Sequence, residues 1–272
     1  MKLGLALPSF VDDPAIPLAV AHAAEESGLD AVFVYDHLFR TAADGTRRPA
    51  LEGVSLLGAV AEATTTIAVG ALVFRATLRP AASLAAAIAS ADRIAPGRVI
   101  AAIGGGDAQS RDENESFGLR FGSASDRIDA LAAAVQEARR STRVRVWVGG
   151  NSEPVRRLAS NAAHGWNSWG SSLARFGEYA AEVRPDSGAA FECSWGGLVV
   201  LAEDDRRAAE KAERLRAVPG TLLGGPDALA RQLRSYSDVG ADWVVIAPVD
   251  SRDPENARLL GERVAPLIKD RP

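Results

Sequence analysis

The chain has 272 residues, 47% of them hydrophobic and 24% charged, with a formal net charge of -4, the make-up of an ordinary globular protein long enough to bury a sizeable core. An acidic balance without a face-sized cluster of Lys and Arg argues against nucleic acid as a partner. One cysteine, Cys193, leaves no internal disulfide, no Cys/His grouping has zinc-ligand spacing, and no apolar run reaches the roughly 18 residues that cross a bilayer. With a start, MKLGLALPSF, that lacks the features of a signal peptide, the expectation is a cytoplasmic protein with no metal centre and no membrane contact.

Short apolar runs alternate with Ala-rich helical patterns from end to end. Leu3 to Pro8 predicts a first strand, and Pro14 to Ser27 a helix closed by Gly28 as C-cap residue. Ala31 to Tyr35 is a continuously apolar second strand that runs into Asp36 and His37. After a polar loop, TAADGTRRP, come a helix over Leu51 to Ala63, a third strand over Thr66 to Phe74 and a helix over Pro80 to Ile94. A fourth strand, Arg98 to Ile103, ends in Gly104, Gly105, Gly106 and Asp107, and the run SRDENES beyond it reads as a solvated face. Ser125 to Arg140 is helical. The stretch VRVWVGGNSEPVRRLA, Val144 to Ala159, then feeds a fifth strand into a helix. Trp166 to Trp169 is a sixth strand, Leu173 to Val183 a helix and Leu198 to Ala202 a seventh strand. Helices over Asp205 to Ala217 and Pro226 to Val239, an eighth strand over Trp243 to Pro248 and a helix over Glu255 to Ile268 complete the chain.

Eight buried-type strands alternating with helices call for parallel pairing through right-handed crossovers. About 250 residues is the usual size of a (β/α)8 barrel, so the sequence predicts one α/β TIM-barrel domain over residues 1–272; a doubly wound open sheet is the alternative. Barrel chemistry gathers at the C-terminal strand ends. No lysine sits at such an end, which argues against Schiff-base and pyridoxal-phosphate chemistry, and strand one lacks the His-x-His of barrel metallohydrolases. Of three histidines, His22 falls in a helix and His164 on the opposite rim, both expected to pack or face solvent. His37 is placed to move a proton near neutral pH, and Asp36 to orient a ligand or backbone. Asp107 ends a triple-glycine turn, either as a polar group of a pocket or as a plain turn residue. In the fifth turn, Gly149 and Gly150 permit close backbone approach, Ser152 stands where an N-cap belongs and Pro154 falls in the first helical turn. Free amides there, with Arg156 and Arg157 close by, suit a phosphate; a ligand-free tight turn is the other reading.

Several of these stretches resemble the bacterial luciferase-like oxidoreductases, flavin- or deazaflavin-dependent barrels, and most of all their coenzyme F₄₂₀-dependent branch. The resemblance rests on GLALP at strand one, Asp36-His37-Leu38 at strand two, Arg79 to Asp107 with PGRVIAAIGGGD, and VWVGGNSEPVRRLA with the trailing AHGW. It implies that Gly149, Gly150, Asn151 and Ser152 hold the cofactor's phosphate and that Asp36 contacts its ring. It further implies that His37 sits at the reactive centre and that Gly105 and Asp107 line the ring pocket. Leu72 and Val73 would form a bulge behind the ring, often at a non-prolyl cis peptide. Three departures stand out: the usual insertion before strand five is absent at ARRSTRVRVW, the region after strand seven is short at VPGTLLGGPD, and Thr41 and Asp107 replace an aromatic and a glutamate of certain relatives. The implied activity is hydride transfer between F₄₂₀ and a small organic substrate, with His37 and Asp107 catalytic, in a homodimer. The alternatives are an FMN-dependent two-component monooxygenase served by a flavin reductase, and a non-catalytic flavin- or deazaflavin-binding protein.

Overall fold

Apolar strands and Ala-rich helices alternate through the computed structural model, which describes residues 1–41, 45–107, 110–185 and 190–269. In chain order the elements are β1 (Lys2–Ala6), α1 (Ala15–Glu26), β2 (Ala31–Val34), β3 (Phe39–Thr41), β4 (Arg47–Pro49), α2 (Gly53–Ala63), β5 (Ala68–Arg75), α3 (Ala81–Ile94) and β6 (Val99–Gly104). Then follow α4 (Ser110–Ser116), α5 (Ala124–Ser141), β7 (Arg145–Gly149), α6 (Glu153–Ala162), β8 (Gly165–Trp169), α7 (Leu173–Val183) and β9 (Glu192–Leu201). The last are α8 (Asp205–Leu215), β10 (Leu222–Gly224), α9 (Pro226–Asp238), β11 (Trp243–Pro248), α10 (Glu255–Leu259), a π-helical turn over Leu260–Val264, and α11 (Ala265–Lys269).

Strands β1, β2, β5, β6, β7, β8, β9 and β11 pair in that order, all parallel, and β11 returns to β1 to close a (β/α)8 barrel. Closure leaves the eight barrel strands without a free edge, and the helices cover the outer faces with residues such as Leu84 and Ile88 of α3 and Leu131 and Val135 of α5. The Ala-rich composition lets helix and barrel approach closely, and α5 starts on a reciprocal cap between Ser123 and Asp126. Phe33, Ile100, Trp147, Trp243 and Val245 fill the barrel itself.

Four departures from the sequence reading have physical causes. The seventh strand begins at Glu192, not Leu198. Its first residue faces inward at the base of the barrel, where Glu192 accepts from the indole N–H groups of Trp147 and Trp243 at 3.1 and 2.9 Å. The expected loop after strand two is in part an antiparallel hairpin, β3–β4. Short β10 extends the far end of β9. Finally, SRDENES is not a solvated face: Ser110, Glu113 and Asn114 of α4 are buried.

Candidate active site

The rim is organised by four charged side chains that fold inward. Asp36, at the end of β2, is 1% exposed. Its carboxylate accepts from the Arg75 backbone N–H at 2.9 Å and from both Arg79 terminal nitrogens at 2.6 and 2.8 Å. Arg79 also pairs with Glu52, whose carboxylate caps α2 through the Ser55 N–H. A Cβ on Gly53 would come 2.8 Å from the Asp36 Cα, so only glycine lets the α2 start rest on this carboxylate. Asp36 thus orients the Arg79 guanidinium and the strand that carries Arg75.

His37 lies next to this cluster and is held by a residue the sequence reading passed over. Its Nδ1 is 3.0 Å from Glu113 Oε2, and Glu113 also accepts from the Leu38 N–H and, at 2.6 Å, from Arg75 Nη1. Arg75 Nη2 donates to Asn114 Oδ1 at 3.1 Å, and the Asn114 amide donates to the Thr77 carbonyl. Burial alone would raise the Glu113 pKa, but the hydrogen bonds from His37 and Leu38 and the charges of His37 and Arg75 outweigh it and hold the carboxyl below its ordinary value. In the neutral imidazole an ionised Glu113 accepts from Nδ1–H, and the lone pair is then on Nε2. Nε2 makes no hydrogen bond among the described residues, and the His37 side chain is 36% exposed.

Contacts run from His37 right round the mouth. Arg75 belongs to β5, where the register shifts between Ala71 and Phe74 and the Leu72–Val73 peptide is cis, at the place the resemblance indicates. The Val73 side chain lies across Gly104 and Gly149: a Cβ on either would come within 2.6 and 2.4 Å of its methyl groups. Gly105 passes beneath the Arg127 carbonyl, and Gly106 adopts a φ of 73° that favours glycine. Beyond Gly149, Asn151 accepts from the Ser168 hydroxyl at 2.7 Å, and Trp169 reaches the Tyr35 ring at 6.1 Å. Tyr35 stacks near Phe10, and Phe10 lies 5.7 Å from the His37 ring. The expected residues on β2, β5, β6 and β7 therefore do converge on one mouth.

The fifth turn differs in detail from its sequence reading. The Gly150 N–H is spent on the Asn167 carbonyl at 3.1 Å. Ser152 occupies the N-cap position of α6, yet its side chain makes no capping bond. The two arginines expected beside it are there but paired: Arg156 donates to the Asn151 carbonyl of the turn and meets Glu182 at 2.8 Å, and Arg157 meets Glu153. What the turn retains is the exposed start of a ten-residue helix whose first amides no side chain caps. Asp107 is exposed and accepts from the Ser110 N–H and hydroxyl, both at 3.1 Å, fixing the entry to α4.

Of the other histidines, His22 bonds the Ala63 carbonyl, and His164 accepts the Val146 N–H with its pKa lowered by burial and by Arg139. Among the described residues no cluster of His, Cys, Asp or Glu is placed to hold a metal ion, and no helix is long and apolar enough to cross a membrane. Arg75, Arg79, Glu52, Glu113 and Asn114 were absent from the sequence-predicted site. Ser110, Glu113 and Asn114 share one helix face by their i, i+3, i+4 spacing, but so do Arg111, Asn114 and Glu115, so the spacing alone does not single them out.

The model of the luciferase-like monooxygenase family matches residues 1–235. No curated protein sequence matches the chain. Among solved structures, an F₄₂₀-dependent secondary alcohol dehydrogenase in complex with an F₄₂₀–acetone adduct is similar with a TM-score of 0.81 and 17% identity, over 99% of each chain. EDTA monooxygenase from Chelativorans sp. BNC1 gives 0.78 and 14%, over 99% of this chain and 93% of that one. Riboflavin lyase, solved with modified FMN and riboflavin, gives 0.77 and 13%, over 99% and 91%. At such identities the likeness concerns the fold.

Proposed function

Because this chain belongs to the luciferase-like monooxygenase family, we propose that its barrel mouth binds coenzyme F₄₂₀ and that the protein moves hydride between this deazaflavin and a small organic substrate. The observation that carries the reading is His37: a rim imidazole whose Nδ1 is committed to a buried carboxylate and whose Nε2 is left available beside the mouth. The bound deazaflavin supplies the hydride acceptor or donor, and the protein supplies position and the proton path.

The residues present fit such a group. The uncapped start of α6, with Asn151 and Ser152, offers amides, a helix dipole and a hydroxyl to a phosphate. Gly149 serves this turn by closing it against Val73, and Gly150 by its φ of 135°, a value that favours glycine. Leu72, Val73, Gly104 and Gly105 form a shelf without polar side chains for a flat ring. Asp36 acts by fixing Arg75 and Arg79. His37 Nε2 takes or returns the proton that accompanies hydride transfer, and Asp107, electrostatically coupled to Arg75, assists at the same rim. The partial exposure of His37 favours this chemistry over oxygen activation, whose reactive species must be kept from water.

Fluorescence titration with F₄₂₀ and, separately, FMN tests the proposal. Binding of F₄₂₀ at micromolar level is expected, with the His37→Ala variant retaining affinity while turnover falls by about two orders of magnitude or more. FMN binding without F₄₂₀ binding would overturn the cofactor assignment and point to the two-component monooxygenase.

A further inference from the structure

Most arginines of the rim face a carboxylate, as Arg47, Arg75, Arg79, Arg156 and Arg157 do. Arg40, Arg48 and Arg252 form no ion pair among the described residues. Arg40 and Arg48 stand directly opposite each other in the β3–β4 ladder and so share one face of the hairpin. The other face is pinned to α4, with Phe39 stacked on Phe117 at 6.3 Å and Arg47 bound to Asp112 at 2.8 Å. The face with the two arginines brings the Arg40 guanidinium 5.2 Å from the Phe10 ring centroid. From the other side Arg252, beyond β11, donates to the Phe10 carbonyl at 3.2 Å.

Strands β11, β1 and β2 are consecutive in the barrel, so the loops after β11 and β2 bring these cations to either side of Phe10 on the β1 loop, in the sector of His37. Strand β7, with the turn assigned to the cofactor phosphate, lies diametrically across from β1. Like charges directly opposite in a two-stranded ribbon destabilise it, and an anion beside them reverses the sign of that interaction. Among the described residues the acidic groups nearby do not play this part. Asp13 accepts from the Ala15 N–H, Asp253 from the Glu255 N–H, and Asp250 pairs with Lys211 at 2.6 Å. Asp12, on the Phe10 loop, pairs with none of the three.

We propose that Arg40, Arg48 and Arg252 hold an anionic group of the substrate, a carboxylate or a phosphate, and so place its reacting carbon against His37. The inference rests on the proton-handling role given to His37 above. Arginine suits it because its planar fork matches both oxyanions.

The test uses the whole protein, its Arg40→Gln/Arg48→Gln variant, and two probes, glutarate and inorganic phosphate. His37 ring resonances follow the anion by NMR at low ionic strength, and F₄₂₀ fluorescence follows the cofactor in parallel. A saturable shift is expected with one or both probes, the tighter naming the group, and about tenfold or greater weakening in the double variant with F₄₂₀ affinity unchanged. Thermal melts should show the variant as stable as wild type or slightly more so, since it loses a like-charge pair. No saturable shift, or a shift equal in the variant, would mean an adventitious ion only and overturn the proposal. Competition between anion and F₄₂₀ would overturn it in another way, by giving the arginines to the cofactor. An anion site that behaves as expected in a protein that ignores F₄₂₀ leaves the arginine assignment standing and removes the cofactor one.

Discussion

Glu113→Gln is the sharpest perturbation of the rim. Glu113 and Arg75 are 3% and 2% exposed, and their contact at 2.6 Å is one of three polar contacts that the carboxylate accepts. Removing one charge of a buried pair typically costs about 3–5 kcal/mol, because the other is left uncompensated. Here the amide keeps one acceptor oxygen and Arg75 keeps Asn114, so the lower end, about 3 kcal/mol, is expected. At about 2–4 °C per kcal/mol for a large domain, melting should fall by roughly 6–12 °C, read by circular dichroism or calorimetry at neutral pH. The carboxyl is held below its ordinary pKa, so its contribution is complete above the ordinary carboxylate value and disappears as pH falls through the folded one. The gap between wild type and variant should therefore narrow in acid. Arg75→Met combined with Glu113→Gln should lose less than the two single changes summed, since no lone buried charge remains. His37 should lose its fixed Nδ1–H tautomer by nitrogen NMR. A variant that melts within about 2 °C of wild type at neutral pH, with the tautomer unchanged, would refute the ionised Glu113–Arg75–His37 arrangement.

Two further predictions concern parts of the barrel away from the proton path. Burial of Glu25 would raise its pKa, but the backbone N–H groups of Thr66, Ile67 and Thr65 lower it to about 2. Wild type should therefore exceed Glu25→Gln in stability at neutral pH, and acid titration of both melts should show the advantage fading between the ordinary value of 4.5 and about 2. An advantage independent of pH would contradict the sign. At the shelf, Gly149→Ala sets a methyl 2.4 Å from Val73 Cγ1; overpacking of this kind costs about 1–3 kcal/mol. Adding Val73→Ala should recover most of the loss in a denaturant titration, and failure to recover it would place the obstruction elsewhere.

The parts of this molecule that the sequence reveals are those fixed by local pattern. Apolar runs of strand length between Ala-rich helices specify the barrel, and the DH, GGGD and GGNS endings identify its chemical rim. Strand β9 escapes in its first half because Glu192 and Ser194 are polar residues facing inward. Their inward placement is permitted by Trp147 and Trp243 for one and by Asn167 for the other, none of them adjacent in sequence. The same physics hides Glu113. In SRDENES nothing local separates it from the exposed acids Asp112 and Glu115; what buries it is Arg75, 38 residues earlier, and His37, 76 residues earlier. A charge enters a protein interior only with its partner, so a charged residue's burial is a property of a pair rather than of a window of sequence. Arg156 and Arg157 show the converse. Proximity along the chain places them beside the phosphate turn, where Glu182 and Glu153 pair with them, whereas Arg40, Arg48 and Arg252, scattered along the chain, meet no carboxylate among the described residues. The distribution of unpaired charge, more than the list of charged residues, is what separates scaffold from binding surface at this rim.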